Sequence, residues 1–89
     1  MLHVQRLTDL NTADAPVIST LQTTVYSNNL LVAVDGSPVQ GHGPAPHASP
    51  VTANGSPNVF INNIPVNRET DPDSCGHPRV DGSPNVFVN

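Results

Sequence analysis

Sliding the 89-residue sequence against itself by 34 residues aligns Ala15-Pro16-Val17 with Ser49-Pro50-Val51, and Val25-Tyr26-Ser27-Asn28-Asn29-Leu30 with Val59-Phe60-Ile61-Asn62-Asn63-Ile64. Val32 falls on Val66 in the same alignment. A duplicated chain must pack one copy of a unit against another, so the repeat limits the architecture more than any single residue does. In each copy an Asn-Asn pair separates two short apolar-rich runs, and asparagine tolerates the positive φ of a two-residue hairpin turn. Hairpins are therefore expected over residues 24–34 and 58–68. A third copy opens at Asp81, where Gly82-Ser83-Pro84-Asn85-Val86-Phe87-Val88-Asn89 repeats Gly55-Ser56-Pro57-Asn58-Val59-Phe60-Ile61-Asn62. The strand that should follow it resembles Ile64 to Asp71, and Leu2 to Asp9 matches that run in register at valine, arginine, threonine and aspartate. The third hairpin is expected to be split, with residues 85–89 pairing against residues 2–9 inside one domain spanning 1–89.

Composition agrees with strands. Twelve valines make up half of the 23 Leu, Ile, Val and Phe residues, there is no tryptophan, and the aromatics are Tyr26, Phe60 and Phe87. Valine favours strand over helix, no stretch holds a 3.6-residue apolar period, and ten prolines are scattered through the chain. An all-β fold with little or no helix follows. A domain of this size buries only about 60–65% of its unfolded surface. A single cysteine cannot close an intramolecular disulfide, so a bound metal is the remaining staple. The formal charge is −4, there is no lysine, and Arg6, Arg68 and Arg79 are the only cations beside histidine. Phosphate neutralisation has little to work with, so nucleic acid is not an expected partner. No apolar run approaches a membrane span, and Met1 to Leu10 lack the basic-then-apolar order of a signal peptide, so synthesis and assembly in the cytoplasm are expected.

The metal candidates lie between Ser37 and His77. His42 and His47 flank Gly43-Pro44-Ala45-Pro46, where two fixed proline φ values and a glycine favour an ordered bend. Cys75 and His77 are two apart, a separation that puts both side chains on one side of an extended backbone. One thiolate and three imidazoles make a tetrahedral set suited to zinc. Taken singly, a histidine in a Gly/Pro loop is a solvated side chain and a lone cysteine a small buried apolar group. His3 stands apart from this cluster. Asp71 and Asp73 read as turn formers beside Pro72, and Glu69 as a solvated charge at a strand end. Val59, Ile61, Val86 and Val88 lie on strand faces that form either a docking base or core.

At the Gly-Ser-Pro-Asn-Val-Phe strands, the Asp71-Pro72-Asp73-Ser74-Cys75-Gly76-His77-Pro78 stretch and the histidine loop, the sequence resembles the PAAR-repeat family. These are the conical tip proteins of type VI secretion spikes, tailed-phage baseplates and related contractile injection systems. Two features depart from the family: Ile64-Pro65-Val66-Asn67-Arg68 replaces the signature Pro-Ala-Ala-Arg, and the last hairpin stops at Asn89. The resemblance implies a small pyramid of three pseudo-threefold hairpins with one zinc, or iron, ion near the vertex, held by His42, His47, Cys75 and His77. It further implies a partner, a trimeric β-helical spike capped at its blunt tip by one monomer, and transient contact with a target envelope. Size and general likeness favour a short phage-baseplate member, located in the virion at the end of the tail spike, over a secretion-system tip.

Three functions compete on the residues. A structural tip calls for a closed four-ligand site. A zinc hydrolase would need three ligands, a bound water and a general base such as Glu69. A metal-free, repeat-built binding module would use the strands alone. The tip reading predicts no enzyme activity.

Overall fold

The computed structural model describes residues 1–89. It holds no helix and six strands of two residues: β1 Leu2–His3, β2 Tyr26–Ser27, β3 Leu30–Leu31, β4 Phe60–Ile61, β5 Ile64–Pro65 and β6 Phe87–Val88. They pair antiparallel as β2–β3, β4–β5 and β1–β6. In β2–β3 Tyr26 faces Leu31, in β4–β5 Phe60 faces Pro65, and in β1–β6 His3 faces Phe87. The Asn-Asn pairs sit at the turns, with φ of 54° and 66° at Asn28 and Asn29, and 51° and 66° at Asn62 and Asn63. Two successive positive φ values are what a tight hairpin matched to strand twist requires, and asparagine meets that need at little steric penalty.

The regular ladders are shorter than the expected spans because each chain segment leaves its own hairpin after the second strand. It then bridges to the other two copies: Val34 to Val66, Arg68 to Val4 and Arg6 to Val32. The backbone closes on itself at the next position. The Gln5 amide donates to the Asn67 carbonyl at 3.0 Å, the Asn67 amide to Ala33 at 3.0 Å, and the Ala33 amide to Gln5 at 2.9 Å. Flanking bonds repeat in threes as well, from the amides of Leu7, Asp35 and Glu69 to the carbonyls of Leu31, Pro65 and His3. The N-terminal strand thus occupies the third place in the ring, and a closed ring leaves no free sheet edge for another chain to extend.

Val4, Val32 and Val66 occupy equivalent places in the three copies and meet in one cluster, against which Val59, Ile61 and Val88 pack. Each fully buried valine contributes about 1.5–3 kcal/mol. Apolar packing is the smaller part of the interior, since thirteen of the 22 buried residues are polar or charged. The Gly-Ser-Pro-Asn repeat shows why. Ser56 Oγ accepts from the amides of Asn58 and Val59, and Ser83 Oγ from those of Asn85 and Val86. In the first copy the longer Gln22 does the same through Oε1 for Thr24 and Val25. These side-chain oxygens satisfy amides that the two-residue strands cannot.

Past the ring each strand enters a turn at Thr8, Gly36 or Thr70, with φ of 78°, 86° and 73°. The amides of these residues donate to Val17, Thr52 and Arg79 and so close three loops, of which the one closed by Gly36 is the longest and the other two are equal in length. Two of the turns are fastened by bidentate ion pairs, Arg6 with Asp9 and Arg68 with Asp71. In the first copy Val34 and Ser37 stand in their place, and Ser37 Oγ donates to the Val34 carbonyl at 2.6 Å. The molecule measures 32 × 24 × 23 Å, and His42, His47, Cys75 and His77 gather near one end.

Candidate metal centre

Two of the three loops carry the four sequence-predicted ligands, and the backbone of each is locally fixed. In the first, the His42 amide donates to the His47 carbonyl at 2.9 Å and the His47 amide to Pro44 at 2.8 Å. These bonds make the expected bend between the histidines. Gly41 lets the two arms of the loop meet, because a Cβ there would lie 2.4 Å from the Ala48 carbonyl oxygen. In the second loop Pro72 bridges Pro78, the Asp73 amide donates to His77 at 2.9 Å, and the Gly76 amide to Asp73 at 2.8 Å. Gly76 has φ of +97°. Cys75 and His77 therefore sit on a tight turn, not on the extended backbone their spacing suggested. The turn brings both side chains to the site because Gly76 between them takes a left-handed conformation that a residue with a Cβ adopts only under strain.

His42, His47, Cys75 and His77 are all half-buried, and one donor atom from each lies within 4.8 Å of the others. The imidazole centroids are 5.0–5.2 Å apart, with rings tilted by 41–59° instead of stacked. Cys75 Sγ lies 3.8 Å from His42 Nε2. Zinc–sulfur and zinc–nitrogen bond lengths place tetrahedral edges at roughly 3.4–3.6 Å, so the set is slightly open relative to a loaded centre.

The second ring nitrogens decide which atoms remain for a metal. His42 Nδ1 lies 3.0 Å from the Gln40 carbonyl, which can only accept, so this nitrogen carries the proton and Nε2 is free. His77 Nδ1 is 3.1 Å from Thr12 Oγ1. His47 Nδ1 is buried without any hydrogen-bond partner. A buried nitrogen left unpaired is costly in a protein, and a metal ion is one partner that would satisfy it. The donor chemistry, one thiolate with three imidazoles, fits a borderline-soft ion and not calcium or magnesium, which take oxygen.

His3 does not join the group: its Nδ1 lies 2.6 Å from the Ser83 carbonyl and its ring packs against Phe87, tilted by 44° with centroids 4.5 Å apart. Glu69 accepts from the His3 amide at 3.1 Å and has no place near the histidine cluster. Asp73 is more than a turn former. Its Oδ2 accepts from Arg79 Nη1 and from Asn11 Nδ2, each at 2.8 Å, and the Asp73 and Arg79 side chains are wholly buried. Arg79 also donates through Nε to Gln5 Oε1 at 3.2 Å and through Nη2 to the Asp9 carbonyl. This support for the Cys75 turn escaped the sequence reading. The sequence repeat held no signal for it: Arg79 shares its place with Val17 and Thr52 only through the carbonyls that close the three loops.

The model of the PAAR motif family matches residues 8–80, a span that takes in both loops, two complete hairpins and all four candidate ligands. The chain belongs to the PAAR-motif family. Its members are spike-tip proteins of contractile injection and type VI secretion systems. Among curated proteins none matches the sequence. The first and last strands, β1 and β6, fall outside the matched span, although the structure pairs them as it pairs the other two hairpins.

Proposed function

We propose that this PAAR chain is the metal-stapled point of a contractile tail, one monomer capping the trimeric β-helical spike of a phage baseplate. The observation that carries this reading is the threefold ring of hairpins. Its apolar hollow, about 210 Å³, is lined by Val59, Ile61, Val86 and Val88 together with Val25 and the Val4, Val32 and Val66 cluster. A single chain with three near-equivalent hairpins presents a threefold-like face to a threefold spike, which one asymmetric domain could not do. Tyr26, Phe60 and Phe87 are equivalent in the three hairpins and each substantially exposed, and Tyr26 is the one that lines the hollow. An open apolar hollow at one end of a domain is the kind of surface that another protein covers.

On this reading residues 1–89 form one PAAR-like unit whose third hairpin is made from the two chain ends, and His42, His47, Cys75 and His77 bind one zinc ion. Four protein donors leave no position for a water, which favours a structural metal over a hydrolytic one. The preference for a phage tail over a secretion spike rests on general likeness to the baseplate members of the family, and the host envelope is the surface it would meet.

Two measurements test the reading. Elemental mass spectrometry on protein purified without chelator should find close to one zinc per chain, lost when Cys75 and His77 are both replaced by serine. Mixing the chain with the β-helical spike protein of the same contractile system should give a complex of one tip to three spike chains by light scattering. A folded chain that carries no metal, or a spike that leaves it unbound, would sink the respective half of the proposal.

A further inference from the structure

The metal candidates come from two loops, yet a third loop touches the cluster. Residues 9–15 carry Thr12, whose hydroxyl lies 3.1 Å from His77 Nδ1 and whose amide donates to the Pro78 carbonyl at 3.0 Å. The loop is not held there by its own backbone alone. Asn11 Oδ1 accepts from the amides of Ala13 and Ala15, and Asn11 Nδ2 donates to Asp73. Arg79 reaches from Asp73 to the Asp9 carbonyl, and its own backbone bridges to Asn11. One buried guanidinium therefore joins the base of the Cys75 turn to the loop that meets His77.

We propose that Thr12 is a positioning residue for the metal centre, held against His77 by the buried Asn11–Asp73–Arg79 cluster, so that residues 9–15 belong to the site although they supply no ligand. The chemistry follows from the two tautomers of His77. With the proton on Nδ1, the ring donates to Thr12 Oγ1 and presents a bare Nε2 to the ion. With the proton on Nε2, the Thr12 hydroxyl donates to Nδ1 and the ring has no lone pair for the metal. A bound ion selects the first arrangement, and the Thr12 oxygen fixes the ring in the orientation that arrangement needs. His42 has the same kind of support from the Gln40 carbonyl, supplied by its own loop. His77 alone borrows it from a distant part of the chain.

This inference rests on the metal reading above, and cobalt(II) separates the two. Cobalt is titrated into metal-free protein, following the visible ligand-field bands and competing with a chromophoric chelator. Thr12→Val is expected to bind about tenfold more weakly, the low end for loss of an outer-shell partner because this hydroxyl faces water, and to show altered bands. Thr12→Ser should restore both. The thermal midpoint of the metal-free Thr12→Val protein should match that of the original chain, which a merely structural role would not predict. Arg79→Lys, unable to span Asp73 and the Asp9 carbonyl together, should weaken binding further; if it fails to fold, the Thr12 pair still decides. Uptake by Thr12→Val with unchanged affinity and spectrum, or failure of serine to restore them, overturns the inference and leaves the metal reading standing. No cobalt uptake by the unaltered chain overturns both.

Discussion

The hairpin end and the loop end of this molecule are built on opposite terms. At the hairpin end every feature comes in threes: paired strands, valines, ring amides and a polar side chain that collects two turn amides. At the loop end nothing does. The loop closed by Gly36 is longer than those closed by Thr8 and Thr70 and bears two histidines, the Thr70 loop bears a cysteine and a histidine, and the Thr8 loop carries Thr12 and no ligand. Backbone hydrogen bonds are the same for all residues, so repetition can make a ring from them. A tetrahedral metal site needs four donors around one point, and a threefold chain reaches it only by letting its copies diverge.

Breaking the loop end should have the largest effect. Structural zinc contributes roughly 10–16 kcal/mol near neutral pH, against about 5–15 kcal/mol for the whole stability of an ordinary domain. Stripping the metal with a strong chelator is therefore expected to lower the thermal midpoint by about 40 °C or more, the lower zinc figure taken at about 4 °C per kcal/mol. A melting curve unchanged by chelator would mean that the ring end holds the fold unaided. Next in size is the buried ion pair under the Cys75 turn. Arg79→Met leaves Asp73 as an unpaired charge in the interior and should cost about 3–5 kcal/mol in urea unfolding of the metal-loaded protein. A loss below 1 kcal/mol would show that water reaches Asp73.

The ring end should respond more weakly and evenly. Val4→Ala, Val32→Ala and Val66→Ala each remove two methyl groups from the same cluster, for about 2 kcal/mol apiece. Their metal content should stay at the level of the unaltered chain. If one of the three cost far more than the others, or released the metal, the threefold equivalence of this end would fail as an energetic statement even though it holds for the backbone.

The same contrast explains what could be read from the sequence. The 34-residue repeat and the doubled Asn-Asn turns exposed the hairpins, because a repeated backbone need produces repeated residues. His42, His47, Cys75 and His77 stood out because few other residue types take up zinc, and the structure does bring them together. The ring was not legible: the bonds among Gln5, Ala33 and Asn67 are backbone to backbone, and three different side chains at one position leave no common letter. Cys75-x-His77 was misread as extended because a spacing of two suits both a strand and a turn with a left-handed glycine between. The supporting cluster was missed because Asn11 lies 62 residues from Asp73 in sequence, and Asn11, Asp73 and Arg79 each have an ordinary surface reading when taken alone.

The smallest effect expected is at the seam between the two ends, where Arg6–Asp9 and Arg68–Asp71 fasten equivalent turns. Hydrogen bonding to Asp71 holds the Arg68 guanidinium above its ordinary pKa and outweighs the opposing effect of burial, and Asp9 does the same for Arg6. A folded-state value above the unfolded one contributes stability that is fully present below the unfolded value and is lost only as pH rises through the folded value. For arginine both lie far above the working range, so neither pair gives a pH dependence there through its cation. Arg68→Gln keeps the backbone amide bond to Asp71 and loses the fork, for roughly 1.5 kcal/mol, the bottom of the range for hydrogen bonds to charged groups. The loss should be the same at pH 6 and pH 9 by urea unfolding. Arg6→Gln should cost slightly more, because Arg6 also donates to Asn28 Oδ1 at 3.1 Å, a bond that Arg68 lacks. A smaller loss at Arg6 than at Arg68 would mean that the loop each pair opens, and not the number of bonds its guanidinium makes, sets the cost.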